Sequence, residues 1–270
     1  MRNEATKGMN NRLERAQAEL SVQGADWLLI PHSMDLRYLI GYAHRQSERL
    51  TLLLVPNKGR PRMVLPSFEI PVVQAYADHF DLIGWDEDEN PVEKVSQVVG
   101  TDQTILIGEP LHARILLRLQ SALSSAHFLS GESVMAALRM IKEPDELDAL
   151  RDAARSADQA LEALLDQPLT DMTEREVIHY LHEHLLENGN EAVGTGIVGS
   201  GSNSASPHHR TSERQLRQGE ALVIDFGGSV RGYRSDMTRT LHLGELSDDD
   251  EFRRVYQIVQ EAQELAFDAV

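Results

Sequence analysis

The 270-residue chain contains no cysteine. Disulfides, thiolate nucleophiles, thiolate-bound zinc and iron–sulfur clusters are thereby excluded, so any metal must be held by carboxylate, imidazole, carbonyl or water. Long apolar runs are missing too, since none approaches the roughly 20 residues that span a bilayer. The opening stretch MRNEATKGMNNRLERAQAEL lacks the apolar segment of a secretory signal. Positive charge is scarce: Lys and Arg number 26 against 43 Asp and Glu, a formal net charge of −17. That balance disfavours non-specific contact with nucleic acid or anionic membrane. These absences lead to the expectation of a cytoplasmic protein that binds neither nucleic acid nor membrane.

What is present suits a folded protein. The hydrophobic share is 41% and the charged share 26%, enough to build one large domain or two ordinary ones. The first half alternates patterns. NNRLERAQAELSVQG reads as an amphipathic helix ended by Gly24. DWLLIP, LTLLLVP, RMVLP, FDLIGW and QTILIGE read as buried strands, with helices expected near 68–78, 91–99 and 111–123. Strands alternating with helices predict a layered α/β domain around a central sheet. Past Ala137 the texture changes. A long helical pattern opens at Pro144, and a second helix starts at Thr173, with Glu176 completing a capping box and Gly189 at its end. Strands follow, then an amphipathic helix after SDDDE, with Ser247 expected as its cap. The domain boundary is expected near 138–144.

The stretch ALVIDFGGSVRGYRSDMTRTLHLG places Asp225 in an apolar strand, which reads as buried on both faces. With Ser229–Gly232 as the turn, Gly228 pairs with Tyr233 and Asp225 stands directly opposite Asp236. Their Cβ atoms would then be roughly 4.5–5.5 Å apart, where like charges repel. A shared proton, an arginine (Arg231, Arg234 or Arg239) or one or two divalent cations would each relieve that repulsion. Ahead of the hairpin, a Gly/Ser-rich loop carries His208 and His209, and imidazole suits transition metals.

Together, PHH at 207–209, DFG at 225–227 and GYRSDMTRT at 232–240 resemble the pita-bread metallopeptidases, and within them the Xaa-Pro dipeptidase and aminopeptidase P group. The separations from His208 to Asp225 and from Asp225 to Asp236, 17 and 11 residues by their numbers, agree with that family. LRMIKEPDEL resembles the family's lead into its catalytic domain, and LERAQAELSVQGADWLLIPHSMDLRYLIGY its creatinase-type N-terminal domain. The resemblance implies an α/β chain: a creatinase-like N-terminal domain over 1–138 and the N-terminal portion of a pita-bread α+β catalytic domain over 139–270. It implies that Asp225 chelates one metal and Asp236 bridges two. His208 would contact substrate or the developing oxyanion, and Thr238 would steady a ligand from behind. The implied cofactors are two divalent ions (Mn, Co or Zn), the implied substrates are Xaa-Pro peptides, and the implied assembly is a homodimer. The family completes its site with a His and two Glu downstream of the hairpin, to which no residue here answers. The chain is therefore expected to be a fragment or a truncated relative, holding metal weakly or not at all and inactive alone. A non-catalytic peptide-binding relative and a creatinase-like hydrolase remain as alternatives.

Other features invite blander readings. HYLHEHLLENG lacks the second histidine of a zinc-protease helix, because Leu186 stands there, and its His179, His182, Glu183 and Glu187 read as a polar face. WDEDEN and SDDDE lack calcium-loop spacing and read as helix-start acids. GTGIVGSGSN fits neither glycine-rich phosphate motif. Tyr38, Gly41, Tyr42 and His44 are expected to serve domain packing.

Overall fold

Proline-stopped apolar runs become the strands of a central sheet. The structure, a computed structural model, describes residues 2–42, 47–246 and 251–269, with side chains from residue 11 onward. Its backbone forms two units, Met1–Lys142 and Glu143–Val270. The first contains α1 (Arg2–Val22), β1 (Trp27–Pro31), α2 (Met34–Ile40), β2 (Leu52–Pro56), β3 (Arg62–Pro66), α3 (Ile70–Val73) and β4 (Asp81–Trp85). It continues with α4 (Pro91–Val99), β5 (Thr104–Ile107), α5 (Ala113–Ala122), β6 (His127–Ser130) and α6 (Glu132–Met140). The sheet order is β4-β3-β2-β1-β5-β6, with β2 antiparallel to both neighbours and the other pairs parallel.

Side chains alternate across a strand, and both faces here are covered. Leu28, Ile30, Leu53 and Val55 join one core with α1, α2 and α6, while Trp27, Leu29, Leu52 and Leu54 join another with α4 and α5. The helix expected near 68–78 is broken into 3-10 turns at Ser67–Glu69 and Gln74–Tyr76 around the short α3. Pro71 supports its first turn but withholds a backbone donor. The unexpected α2 starts where the Ser33 hydroxyl accepts from Leu36 N and stops at Gly41 in the left-handed region (φ 72°). Tyr38 and Tyr42 are buried in the first core, and the Tyr38 hydroxyl donates to Leu138 O at 3.0 Å. His44 lies outside the described residues, as does Ser247.

The second unit opens with α7 (Pro144–Leu165) and α8 (Glu174–Glu187). Both carry a capping box, Glu143 with Glu146 and Thr173 with Glu176. Then come β7 (Ala192–Val193), β8 (Ile197–Ser200), a 3-10 turn (Gly201–Ala205), β9 (Ala221–Phe226), β10 (Gly228–Val230), β11 (Tyr233–Arg234), β12 (Met237–His242) and α9 (Glu251–Asp268). Ala157, Ala160 and Leu164 of α7 and Val177, Leu181 and Leu185 of α8 pack against Leu222, Ile224, Phe226 and Met237.

The hairpin corrects the expected register. Val230 pairs with Tyr233, so the turn is the two-residue Arg231-Gly232 rather than Ser229–Gly232. Both turn residues have positive φ, 51° and 85°, the conformation whose twist matches that of paired strands. Shortening the turn moves every pair, and Asp225 faces Thr238 instead of Asp236. The hairpin serves two three-stranded sheets, β11-β10-β7 and β12-β9-β8. It passes between them at Gly227, where a Cβ would stand 2.0 Å from the Ser235 carbonyl oxygen. Gly227→Ala is therefore expected to cost at least about 1–3 kcal/mol in urea unfolding. Gly194→Ala, whose Cβ would meet its nearest atom at 3.4 Å, should stay within about 0.5 kcal/mol of the parent. Equal stabilities would refute the close approach.

Candidate functional site

Burial alternates along β9. Leu222, Ile224 and Phe226 are buried, while Ala221, Val223 and Asp225 are only partly so. This corrects the expectation of a strand buried on both faces: one face packs on α7 and α8, and Asp225 lies on the other. There Ile197 of β8 and Thr238 of β12 flank it in register. The exposed Thr238 hydroxyl donates to Asp225 Oδ1 at 3.1 Å. Asp236 is also exposed, two residues before Thr238 where β11 and β12 part. On a regular ladder it would be a diagonal neighbour of Asp225, roughly 7–8 Å away rather than 4.5–5.5 Å. Direct opposition of the two aspartates is thus absent, and with it the need for a shared proton or an arginine between them.

Two of the three arginines expected to neutralise the pair have other partners. Arg231 bonds Asp152 of α7 at 2.6 Å, and Arg239 donates to the Thr238 carbonyl at 2.9 Å. The Tyr233 hydroxyl donates to Glu146 at 2.8 Å, so the tip of the hairpin is tied to α7. Among the described residues neither Asp225 nor Asp236 takes part in an ion pair, and no group of three or more His, Asp or Glu side chains stands ready to hold a metal. The donor set fits a hard divalent cation in kind, through two accessible carboxylates, and falls short in number.

The histidine loop leaves the end of β8 and returns along that strand's outer edge. Val198 N donates to the Thr211 hydroxyl at 2.9 Å, and that hydroxyl donates to Gly196 O at 3.3 Å. Gly196 and Val198 flank Ile197, the partner of Asp225. His208 is exposed in the turn at Pro207-His208, while His209 is half-buried with Nε2 2.9 Å from Glu174 Oε2.

Glu174, in the first turn of α8, is fully buried, and sequence reasoning passed it over. Its Oε1 accepts from Ser200 N (2.8 Å), Ser200 Oγ (2.9 Å) and Asn203 Nδ2 (2.9 Å). Its Oε2 accepts from Ser212 N (3.1 Å), Ser212 Oγ (2.7 Å) and the His209 ring. Burial alone would raise this carboxyl. Bonds from Ser212, Asn203, His209 and Ser200 overcome it and hold the pKa down, from 4.5 to about 2. An ionised acceptor obliges His209 to donate from Nε2. Beside this cluster Arg214 bridges Ser200 Oγ (2.6 Å) and both carboxylate oxygens of Glu220. An acid in a first helical turn is too common to have signalled this role.

On α8 the expected polar face holds for the two glutamates, while His182 turns inward with its Nε2 buried. Glu183 and Glu187 are exposed, His184 stacks on Tyr180 at 4.1 Å, and the His182 pKa is lowered by burial and by His179. Asn90, ending WDEDEN, caps α4 by accepting from Val92 N. The other acidic run lies mostly outside the described residues.

Comparison with known proteins bears on the same elements. Residues 148–270 match Metallopeptidase family M24, and residues 12–141 match the Creatinase/Prolidase N-terminal domain. A probable dipeptidase PepE of Mycobacterium tuberculosis is 36% identical over 264 residues, which cover 96% of this chain and 70% of that protein. The chain belongs to metallopeptidase family M24. Among solved structures, a prolidase from Thermococcus sibiricus superposes with TM-score 0.87 at 29% identity, covering 94% of this chain and 70% of its own. A dipeptidase from Pyrococcus horikoshii gives 0.85 at 33% identity, covering 96% and 72%. The M24 assignment carries the expected fold class: a creatinase-type α/β unit followed by part of the pita-bread fold. It also makes the chain a relative of peptide hydrolases whose family name implies metal.

The Glu174 pKa has a consequence for stability. The folded value lies below the unfolded one, so the stabilisation is complete above about pH 4.5 and is lost as pH falls toward about 2. It amounts to about 3 kcal/mol. In urea titrations, Glu174→Gln should remove that part of the acid dependence. Parallel pH profiles for parent and variant would show that the carboxylate is not held this way.

Proposed function

We propose that this chain carries the substrate-facing histidine and two metal-binding carboxylates of a dinuclear-metal-dependent hydrolase that cleaves the peptide bond before proline, of Xaa-Pro dipeptidase or aminopeptidase P type. The observation that supports this most is the Thr238-to-Asp225 bond on the open face of β9 and β12, with Asp236 two residues away. Thr238 orients Asp225 while leaving Oδ2 for a cation. In this reading Asp225 and Asp236 would hold the ions, and His208 would meet the substrate or its developing oxyanion. Two divalent ions (Mn, Co or Zn), when bound, would supply an activated water and polarise the scissile carbonyl. Among the relatives, the prolidase is in line with a proline-directed substrate and the PepE dipeptidase with a short peptide. A cytoplasmic location and a homodimer belong to the same proposal.

Two carboxylates make a weak site, which leaves the chain inactive by itself. The shortage of a third donor among the described residues equally favours the second reading, a non-catalytic relative that binds peptides. Titration with Mn²⁺ is expected to give a dissociation constant on the order of 1 mM, as poorly charged oxygen sites do. Binding should be lost in Asp225→Asn and in Asp236→Asn, with no hydrolysis of Ala-Pro. Tight stoichiometric binding with hydrolysis would overturn the inactivity, and binding unaffected by either substitution would overturn the metal assignment. Ala-Pro binding that survives both substitutions would favour the second reading.

A further inference from the structure

His208 sits where its neighbour puts it. His209 N donates to Ser206 O at 3.1 Å, closing a turn with Pro207 and His208 at its centre. The residue that closes this turn is also the one whose ring reaches Glu174. The same carboxylate takes donors from Ser200, Asn203 and Ser212. Both ends of the loop and the turn that presents His208 thus converge on one atom group at the start of α8. A buried carboxylate that loses a donor is left with an unmet charge, which costs more than the bond itself. That asymmetry makes the tie hard to release. Thr211, pinned beside Gly196 and Val198, keeps the returning strand next to Ile197 and hence next to Asp225's place in the ladder.

We infer that Glu174 and His209 are positioning residues for His208, the buried carboxylate fixing the His209 ring and, through the Ser206–His209 turn, the side of the hairpin on which the His208 imidazole is presented. Neither residue is assigned contact with substrate. The inference rests on the reading of His208 as the substrate-facing group, and it divides the paired histidines into one that meets the ligand and one that holds the loop.

The test is made on the full chain by NMR, with millimolar Mn²⁺ alone as a paramagnetic probe of the carboxylate pair. In the parent, Mn²⁺ should broaden the amides of Asp225 and Thr238 and the His208 Cε1–H. His209→Leu, which removes the donor, should lose the His208 broadening while the hairpin amides stay broadened. His209→Gln, which restores an N–H donor, should recover it. If the leucine variant fails to fold, His209→Phe keeps the ring volume without the donor and takes its place. Unchanged His208 broadening in the donor-free variant would overturn the inference. If no hairpin amide broadens in the parent, the metal reading fails instead. The inference is then decided by amide exchange at residue 209, expected to quicken about tenfold or more without the donor and to recover in His209→Gln. Equal exchange in all variants would overturn it.

Discussion

An ionised carboxylate shut away from water is the constraint around which the second unit is arranged. Glu174 cannot leave its donors without a large penalty, whereas Ser200, Asn203 and Ser212 would be content in solvent. The carboxylate therefore dictates the course of the loop. It also joins the first turn of α8 to the end of β8, adding a polar tie to two elements that share a hydrophobic core. Oriented N–H and O–H groups replace the hydration shell and keep the carboxyl ionised down to about pH 2. Ser200, Asn203 and Ser212 of VGSGSNSASPHHRTSERQ, a stretch that looks like flexible filler, are its solvation.

A second constraint comes from two residues at the hairpin tip. A turn of Arg231 and Gly232, both with positive φ, sets the pairing of everything behind it. It places Thr238 across from Asp225 and slides Asp236 to the diagonal, so the carboxylates share a face without confronting each other. The tip is held by Arg231 to Asp152 and by Tyr233 to Glu146. Two nearby cations are thus spent on structural partners, Arg231 on Asp152 of α7 and Arg214 on Glu220. The two aspartates on the open face remain available to a cation from solution. Among the buried and half-buried acids, the structure separates one that is saturated with donors, Glu174, from one that is only oriented, Asp225. The first suits scaffolding and the second suits ligation.

Both units have counterparts in the relatives: residues 12–141 match the Creatinase/Prolidase N-terminal domain and residues 148–270 family M24. The relatives share both units over most of this chain, at 36% identity for the mycobacterial dipeptidase, while the chain spans 70% of that relative's length.

Composition and local pattern determined a good deal. The absence of cysteine left oxygen and imidazole as the metal donors, proline-stopped apolar runs marked β1, β2 and β3, and Pro144 and the capping box at Thr173 marked where α7 and α8 begin. The His208, Asp225 and Asp236 spacing pointed to the family, because those residue types at those intervals are tied to one chemistry. Local pattern did not determine the hairpin register, since RG and SVRG are both acceptable turns and only the twist and pairing of the finished strands choose between them. Nor did it reveal α2, which is too short to show a helical period and depends on the Ser33 cap for its start. Burial of Glu174 was likewise invisible, because a helix-start acid is written the same way whether it faces water or a closed loop. Those features depend on segments distant in the chain, Glu174 with residues 200–212 and Asp225 with Thr238. Tertiary structure decided them because a register and a buried charge are properties of the neighbours a residue acquires on folding.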